Sequence, residues 1–167
     1  MKFTLIKLAA ACAALLWAFA VTADDAPRAD AVICAMGGNA GPQFGTDGFG
    51  NVYPGAQVPF GGIQISPDTD DDYYDAASGY KYAHKTLMGF SLNHLSGTGI
   101  PDLGDFLFMP GVGEIKLEPG THDDPDAGYR SRYSHDEEWC SPAYYGVNLT
   151  DYGVKAEMTA AQRSGIL

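Results

Sequence analysis

The densest group of reactive side chains lies between Asn93 and Asp105, where a histidine, two hydroxyl residues, three glycines and two carboxylates occur together. Imidazole, hydroxyl and carboxylate groups exchange hydrogen bonds with sugar hydroxyls, and an imidazole can also carry a proton. Glycines let a ligand approach the backbone closely, and loops often carry binding residues. We therefore predict a ligand-binding loop, although a histidine followed by turn residues is also typical of a purely structural group. The candidate ligand-facing residues are His94, Ser96, Gly97, Thr98, Gly99 and Asp102.

Other chemistries lack their usual signals. The stretch from Gly97 to Asp102 misses the third glycine of the dinucleotide fingerprint, and Pro101 opposes a helix beginning there. The sequence contains no Gly-Lys-Ser/Thr phosphate loop, no Gly-x-Ser-x-Gly elbow and no His-Glu-x-x-His pair. Phosphate cradling, serine-nucleophile and zinc-protease chemistry are therefore not indicated.

An acidic run from Asp68 to Asp75 raises the question of a bound cation, since alternating carboxylates suit calcium. The match to a calcium-binding EF-hand loop fails at its sixth position, which is Tyr73, and at its twelfth, which is Gly79. We interpret the run as a solvated acidic loop and assign no metal ligand in this chain. Two aromatic residues further upstream, Tyr53 and Phe60, could either face a sugar ring or pack in the core.

The elements that must position these residues read as short strands. Apolar runs over 57–65, 106–109 and 144–149 end at turn residues, and 114–118 and 154–159 alternate polar and apolar side chains. Such alternation is typical of half-buried antiparallel strands. No window keeps a helical stripe for three turns, and Gly and Pro supply 21 and 10 of the 167 residues. The sequence therefore predicts an all-β fold, an antiparallel β-sandwich.

The N-terminus has the pattern of an export signal. Lys2 and Lys7 flank the start of the apolar stretch Leu8 to Val21, and small residues up to Ala23 suit signal peptidase. We predict a signal peptide over 1–23, a linker or flexible arm over 24–40, and one domain over 41–167. An uncleaved anchor is the alternative, but the apolar stretch is short for a membrane span. The protein is thus expected outside the cytoplasm, in the periplasm or the extracellular space.

Charge and cysteine content restrict the partners further. The net charge of −11 becomes −13 once Lys2 and Lys7 leave with the signal peptide. Such a chain repels phosphate backbones and anionic lipids, so we expect neither nucleic acid nor a membrane as partner. Cys34 and Cys140 remain after cleavage, and either a single disulfide or two thiols is compatible with their number.

A series of motifs in one order resembles the N-terminal region of glycoside hydrolase family 92, the calcium-dependent exo-acting α-mannosidases. The resemblance covers about residues 41 to 165. Its main blocks are Phe44-Gly45-Thr46, Tyr53-Pro54-Gly55-Ala56, Pro59-Phe60-Gly61, Ser66-Pro67-Asp68-Thr69, Gly89-Phe90-Ser91, His94-Leu95-Ser96-Gly97-Thr98-Gly99, Asp102, Gly104-Asp105, Met109-Pro110, Ser141-Pro142, Tyr144-Tyr145 and Asp151-Tyr152-Gly153-Val154-Lys155-Ala156-Glu157.

The resemblance implies a β-sandwich that packs against a larger α/α-barrel domain, with the active site between them. It further implies mannose-containing glycans as substrates, an inverting reaction, and a calcium ion that helps to bind the sugar. The catalytic acid and base belong to the barrel in that family, so this chain is expected to be inactive alone and to form one wall of the cleft through the loop at His94. The abrupt end in a strand pattern at Leu167 favours a truncated domain over a natural edge strand. A stand-alone carbohydrate-binding sandwich without catalysis is the alternative function.

Overall fold

The computed structural model describes residues 45–47, 50–70, 76–96 and 103–167. Within these ranges the chain forms nine short strands and two turns of 3₁₀ helix, and no α-helix. The strands are β1 (Ala56–Gln57), β2 (Gln64–Asp68), β3 (Thr86–Leu87), β4 (Gly89–Ser91), β5 (Ser131–Arg132), β6 (Glu138–Ser141), β7 (Tyr144–Leu149), β8 (Val154–Ala160) and β9 (Gly165–Ile166). The 3₁₀ turns span Pro125–Ala127 and His135–Glu137. None of the described helices is long and apolar enough to cross a bilayer.

All strand pairs are antiparallel, in three sheets of order β1-β2-β4, β3-β5 and β6-β7-β8-β9. Strands β1 and β2 contact β8, so the first sheet packs on the last. Between them lies a core that includes Ile65, Phe90, Tyr145, Val147 and Met158. The expected all-β antiparallel sandwich is confirmed.

The alternating pattern is clearest in β8. Ala156 and Met158 are buried, whereas Lys155, Glu157 and Thr159 on the other face are exposed. Strand β7 occupies the range 144–149 expected from its apolar run and pairs with β8 over its whole length. The apolar run and the period-two alternation thus located the two strands of this hairpin correctly.

Three other expected strands differ from the structure. The run over 57–65 divides into β1 and β2, because the chain turns at Phe60, whose φ is +59°, and Gly61 donates its backbone N–H to Val58. Over 106–109 only Phe108 makes a bridge, to Phe90, and 114–118 is not a strand. Apolar alternation indicates a face to be buried, yet Ile115 and Leu117 are 86% and 85% exposed, since no described strand lies beside them.

Candidate functional site

A buried ion pair joins two strands of the first sheet. Asp68 ends β2 opposite Gly89 of β4, and His94 follows β4 by three residues. The chain folds back there, so that His94 Nε2 lies 2.7 Å from Asp68 Oδ1. The two side chains are only 2% and 8% exposed. The acidic run was expected to be solvated, and for Asp68 that expectation is wrong, because the imidazole supplies a partner inside the protein.

The partners of His94 determine its charge. Nδ1 lies 2.7 Å from the Gln64 carbonyl oxygen, which can only accept, and Nε2 faces the Asp68 carboxylate, which also accepts when ionised. Opposite an ionised Asp68, both nitrogens of His94 therefore act as donors. Burial alone lowers the pKa of His94, but the charge of Asp68 and the hydrogen bonds to Asp68 and Gln64 outweigh it and raise the pKa above 6.5. Ser91 Oγ, 3.0 Å from Nε2, is a further neighbour.

A cavity of about 440 Å³ lies against this ion pair. Asp68, Asp70, Ser78 and His94 supply polar atoms to its wall, and apolar residues including Leu107 supply the rest. Asp68 Oδ2 and Ser78 Oγ are buried and have no hydrogen-bond partner in the described part of the chain. A buried carboxylate oxygen without a donor is costly, so these two atoms are suited to a ligand that carries hydroxyl groups.

The structure describes part of the loop predicted to bind the ligand. His94 lines the cavity, and Ser96 is exposed. The next described residues, Leu103 and Gly104, line the cavity too. The remaining candidates lie outside the described residues: Gly97, Thr98, Gly99 and Asp102. Both nitrogens of His94 already have protein partners, whereas Asp68, which was not among the candidates, offers an oxygen.

The two aromatic candidates lie in different environments. Tyr53 is 2% exposed, packs in the core with its ring 5.2 Å from that of His94, and donates its hydroxyl to Gln57 Oε1 at 2.5 Å. Burial raises its pKa. Tyr53 therefore packs beside the histidine in the protein interior, whereas Phe60 is fully exposed.

A second buried carboxylate was not anticipated. Glu138 accepts hydrogen bonds from the hydroxyls of Tyr80 and Tyr145 at 2.7 and 2.5 Å, and its other oxygen lies 2.6 Å from Nδ1 of His135. Burial, reinforced by the charge of Glu138, raises the pKa of Tyr145 and keeps its hydroxyl protonated. Glu138 is buried and both of its oxygens have protein partners, so we assign this group a structural role. Tyr80 and Glu138 are 58 positions apart, and no local sequence pattern predicts their contact.

Comparison with known proteins agrees with the resemblance seen in the motifs. The family model of the glycosyl hydrolase family 92 N-terminal domain matches residues 41–167. The chain belongs to this family. It is 81% identical to the family GH92 α-mannosidase of Bacteroides thetaiotaomicron, with a TM-score of 0.72 over 74% of this chain and 17% of that one. That enzyme has also been solved in complex with mannoimidazole.

Two more distant relatives extend the comparison. An inverting GH92 mannosidase from Bacteroides thetaiotaomicron VPI-5482 is 28% identical, with a TM-score of 0.57 over 72% of this chain and 16% of that one. An uncharacterized secreted glycosidase of Arthroderma benhamiae is 28% identical over 126 residues, which cover 73% of this chain and 16% of the relative. The chain thus spans about a sixth of the length of these family members.

Calcium is the ion that the family resemblance implies, so we tested it against the side chains present. One group of three possible ligands occurs in the described ranges, formed by Asp70, His84 and His122. Calcium takes six to eight oxygen ligands, whereas two of these three side chains offer nitrogen. The group does not fit calcium, and no role of calcium is assigned to this chain.

Proposed function

We propose that this chain is the N-terminal domain of an exported α-mannosidase and forms one wall of its mannose-binding cleft. In this proposal the catalytic acid and base belong to a C-terminal α/α-barrel domain outside the 167 residues. The chain binds and orients the terminal mannose of a glycan, and the barrel supplies the groups that activate water and protonate the leaving oxygen.

The identity of 81% to an α-mannosidase that has been solved with mannoimidazole carries the proposal. The match covers 74% of this chain.

The cavity beside His94 supports a sugar as the ligand. The unpartnered oxygens of Asp68 and Ser78 can each bind a hydroxyl group, and an ionised carboxylate makes the stronger bond. The imidazole of His94 binds Asp68 Oδ1, which leaves Oδ2 of the same side chain without a donor in the described part of the chain. The loop residues Ser96, Gly97, Thr98, Gly99 and Asp102 complete this wall in the proposal, since Leu103 and Gly104 directly after them line the same cavity.

Two observations support export of the protein. Residues 1–23 have the composition of a signal peptide, and the Arthroderma relative is described as secreted. We therefore place the enzyme outside the cytoplasm, where it meets the glycans on which it acts.

A chimera tests the proposal. Residues 41–167 replace the matching segment of the Bacteroides α-mannosidase, and hydrolysis of an aryl α-mannoside is measured for the chimera, the parent enzyme and the isolated chain. We expect the chimera to retain turnover within about tenfold of the parent and the isolated chain to show none.

Two results would overturn this function. Cleavage of the mannoside by the isolated chain would place the reacting groups within it. A folded chimera that binds no mannoimidazole would show that this sequence does not complete a mannose cleft. Millimolar binding of mannose by the isolated chain, with an inactive chimera, would instead establish the stand-alone sugar-binding module.

A further inference from the structure

Three side chains from separate segments meet beside Thr69. Asp70 follows β2, His84 precedes β3, and His122 belongs to the loop before β5. His122 Nε2 lies 2.7 Å from Asp70 Oδ2, and the two imidazole rings are 4.0 Å apart between centroids. One potential ligand atom from each residue lies within 4.8 Å of the other two.

Each of the two imidazoles contacts a threonine hydroxyl through its Nδ1 atom. Thr69 Oγ1 is 3.0 Å from Nδ1 of His84, and Thr86 Oγ1 is 2.8 Å from Nδ1 of His122. Outer partners of this kind set the ring orientation of metal-binding histidines and the tautomer that binds the ion. The matched pair of buried hydroxyls therefore favours a metal site over a chance cluster of surface histidines.

A buried arginine organises the two threonines. Arg130 donates from one guanidinium nitrogen to the Thr69 carbonyl at 2.6 Å and to Thr86 Oγ1 at 3.1 Å. The same nitrogen lies 3.4 and 3.5 Å from the ring nitrogens of His122. The positive charge of Arg130 repels a cation bound at this cluster, and the Asp70 carboxylate offsets that repulsion. We therefore expect the cluster to bind a cation with moderate affinity.

We propose that Asp70, His84 and His122 bind a divalent transition-metal ion of the zinc class, through one carboxylate oxygen and Nε2 of each imidazole. Two imidazoles and a carboxylate are a common ligand set for zinc, and three protein ligands leave a position for water. The ion replaces the hydrogen bond between His122 and Asp70. His122 and Asp70 are 30% and 24% exposed, so solvent reaches the site.

The site adjoins the cavity described above. Asp70 lines that cavity as well as pairing with His122, and only Thr69 separates it in sequence from Asp68. An ion at Asp70 would therefore fix this end of the cavity wall. This inference rests on the chain's own side chains and does not depend on the proposed mannosidase function.

Metal titration tests the proposal. The purified protein, prepared without a histidine tag and freed of metal with EDTA, is titrated with zinc chloride and, separately, with calcium chloride in a calorimeter. We expect one zinc ion to bind and to raise the melting temperature by about 5–10 °C at saturation. Calcium should leave the melting temperature unchanged.

Variants separate this site from adventitious binding. His122→Gln and Asp70→Asn should each abolish the zinc shift, and Thr86→Val should weaken zinc binding about 10- to 100-fold. His135→Gln is the matched control, because His135 also pairs with a carboxylate but lies outside the cluster, and it should bind zinc as the wild type does. Circular dichroism checks that each variant is folded. If His122→Gln does not fold, the Asp70→Asn result alone decides the test.

Three outcomes would refute the site. The first is no zinc binding by the wild-type protein, and the second is unchanged zinc affinity in a folded Asp70→Asn protein. The third is a melting temperature that rises with calcium and not with zinc.

Discussion

Gly79 stands so close to Asp68 that a methyl group on its Cα would lie 2.2 Å from Asp68 Oδ1. The same methyl group would lie 3.0 Å from His94 Nε2, and Gly79 has a φ of +86°. The ion pair beside the cavity therefore needs a residue without a side chain at position 79. Backbone conformation and close approach require glycine there independently.

Gly79→Ala should consequently separate Asp68 from His94 and lower the free energy of unfolding by about 3–5 kcal/mol, the usual cost of breaking a buried ion pair. Urea denaturation measures this loss. Gly153→Ala is the control, since Gly153 also has a positive φ, +61°, but a methyl group there would meet nothing within 4 Å. It should lose only about 1–2 kcal/mol, the backbone cost alone. Equal losses in the two variants would contradict the steric argument.

Stability should depend on pH through His94. Its pKa in the folded protein is raised above 6.5, the value expected when unfolded. The folded state therefore holds its proton more tightly, and the stabilisation is complete below about pH 6.5 and is lost as the pH rises through the folded pKa. The difference in unfolding free energy between wild type and His94→Gln should shrink from about pH 6 to about pH 9. A difference that is constant over this range would show that His94 is not charged in the fold.

The buried carboxylate Glu138 should be a major support of the core. Glu138→Leu leaves the hydroxyls of Tyr80 and Tyr145 without their acceptor, and each buried unsatisfied group costs about 1–3 kcal/mol. We expect a loss of about 2–6 kcal/mol in unfolding free energy, measured by guanidinium denaturation. Glu138→Gln retains a carbonyl oxygen and should lose clearly less. If both variants lose the same amount, the tyrosine hydroxyls are not what Glu138 stabilises.

Phe60 should destabilise the fold through backbone strain, because its side chain is exposed and adds no packing. It is fully exposed and has a φ of +59°, a region that disfavours residues with a side chain. Phe60→Gly is expected to raise the unfolding free energy by about 0.5–1 kcal/mol, because relief of backbone strain exceeds the entropy cost of glycine. Phe60→Ala keeps the strain and should not be stabilised. A drop in melting temperature for both would mean that the ring makes contacts that stabilise the fold.

Local sequence patterns were sufficient to predict the two strands of the central hairpin, β7 from its apolar run and β8 from alternation. Ala156 and Met158 alternate with polar neighbours, and burial follows that pattern. The same pattern at Ile115 and Leu117 predicted a strand that the structure does not contain, because alternation reports which face is apolar and not whether another strand lies beside it.

The candidate site was only partly predictable for a different reason. The glycine-rich composition after His94 predicts a ligand-binding loop, and the family motifs include the same residues; this loop stays a prediction. The partnership of His94 with Asp68 spans 26 positions and depends on the pairing of β2 with β4. Without that register, the sequence does not distinguish Asp68 from the other acids of the run that it begins. His84 and His122 are likewise distant in sequence and meet only through the fold.

The claim that Asp68 faces the sugar is tested most directly by the kinetics of one substitution in the chimera. Asp68→Asn and Asp126→Asn are compared by kcat/KM for an aryl α-mannoside, since Asp126 is an exposed carboxylate paired with Arg132 and lies away from the cavity. We predict a loss of about 10- to 100-fold for Asp68→Asn, the value of a hydrogen bond to a charged group, and no loss for Asp126→Asn. Equal kcat/KM values in the two folded proteins would show that the cavity wall does not contact mannose.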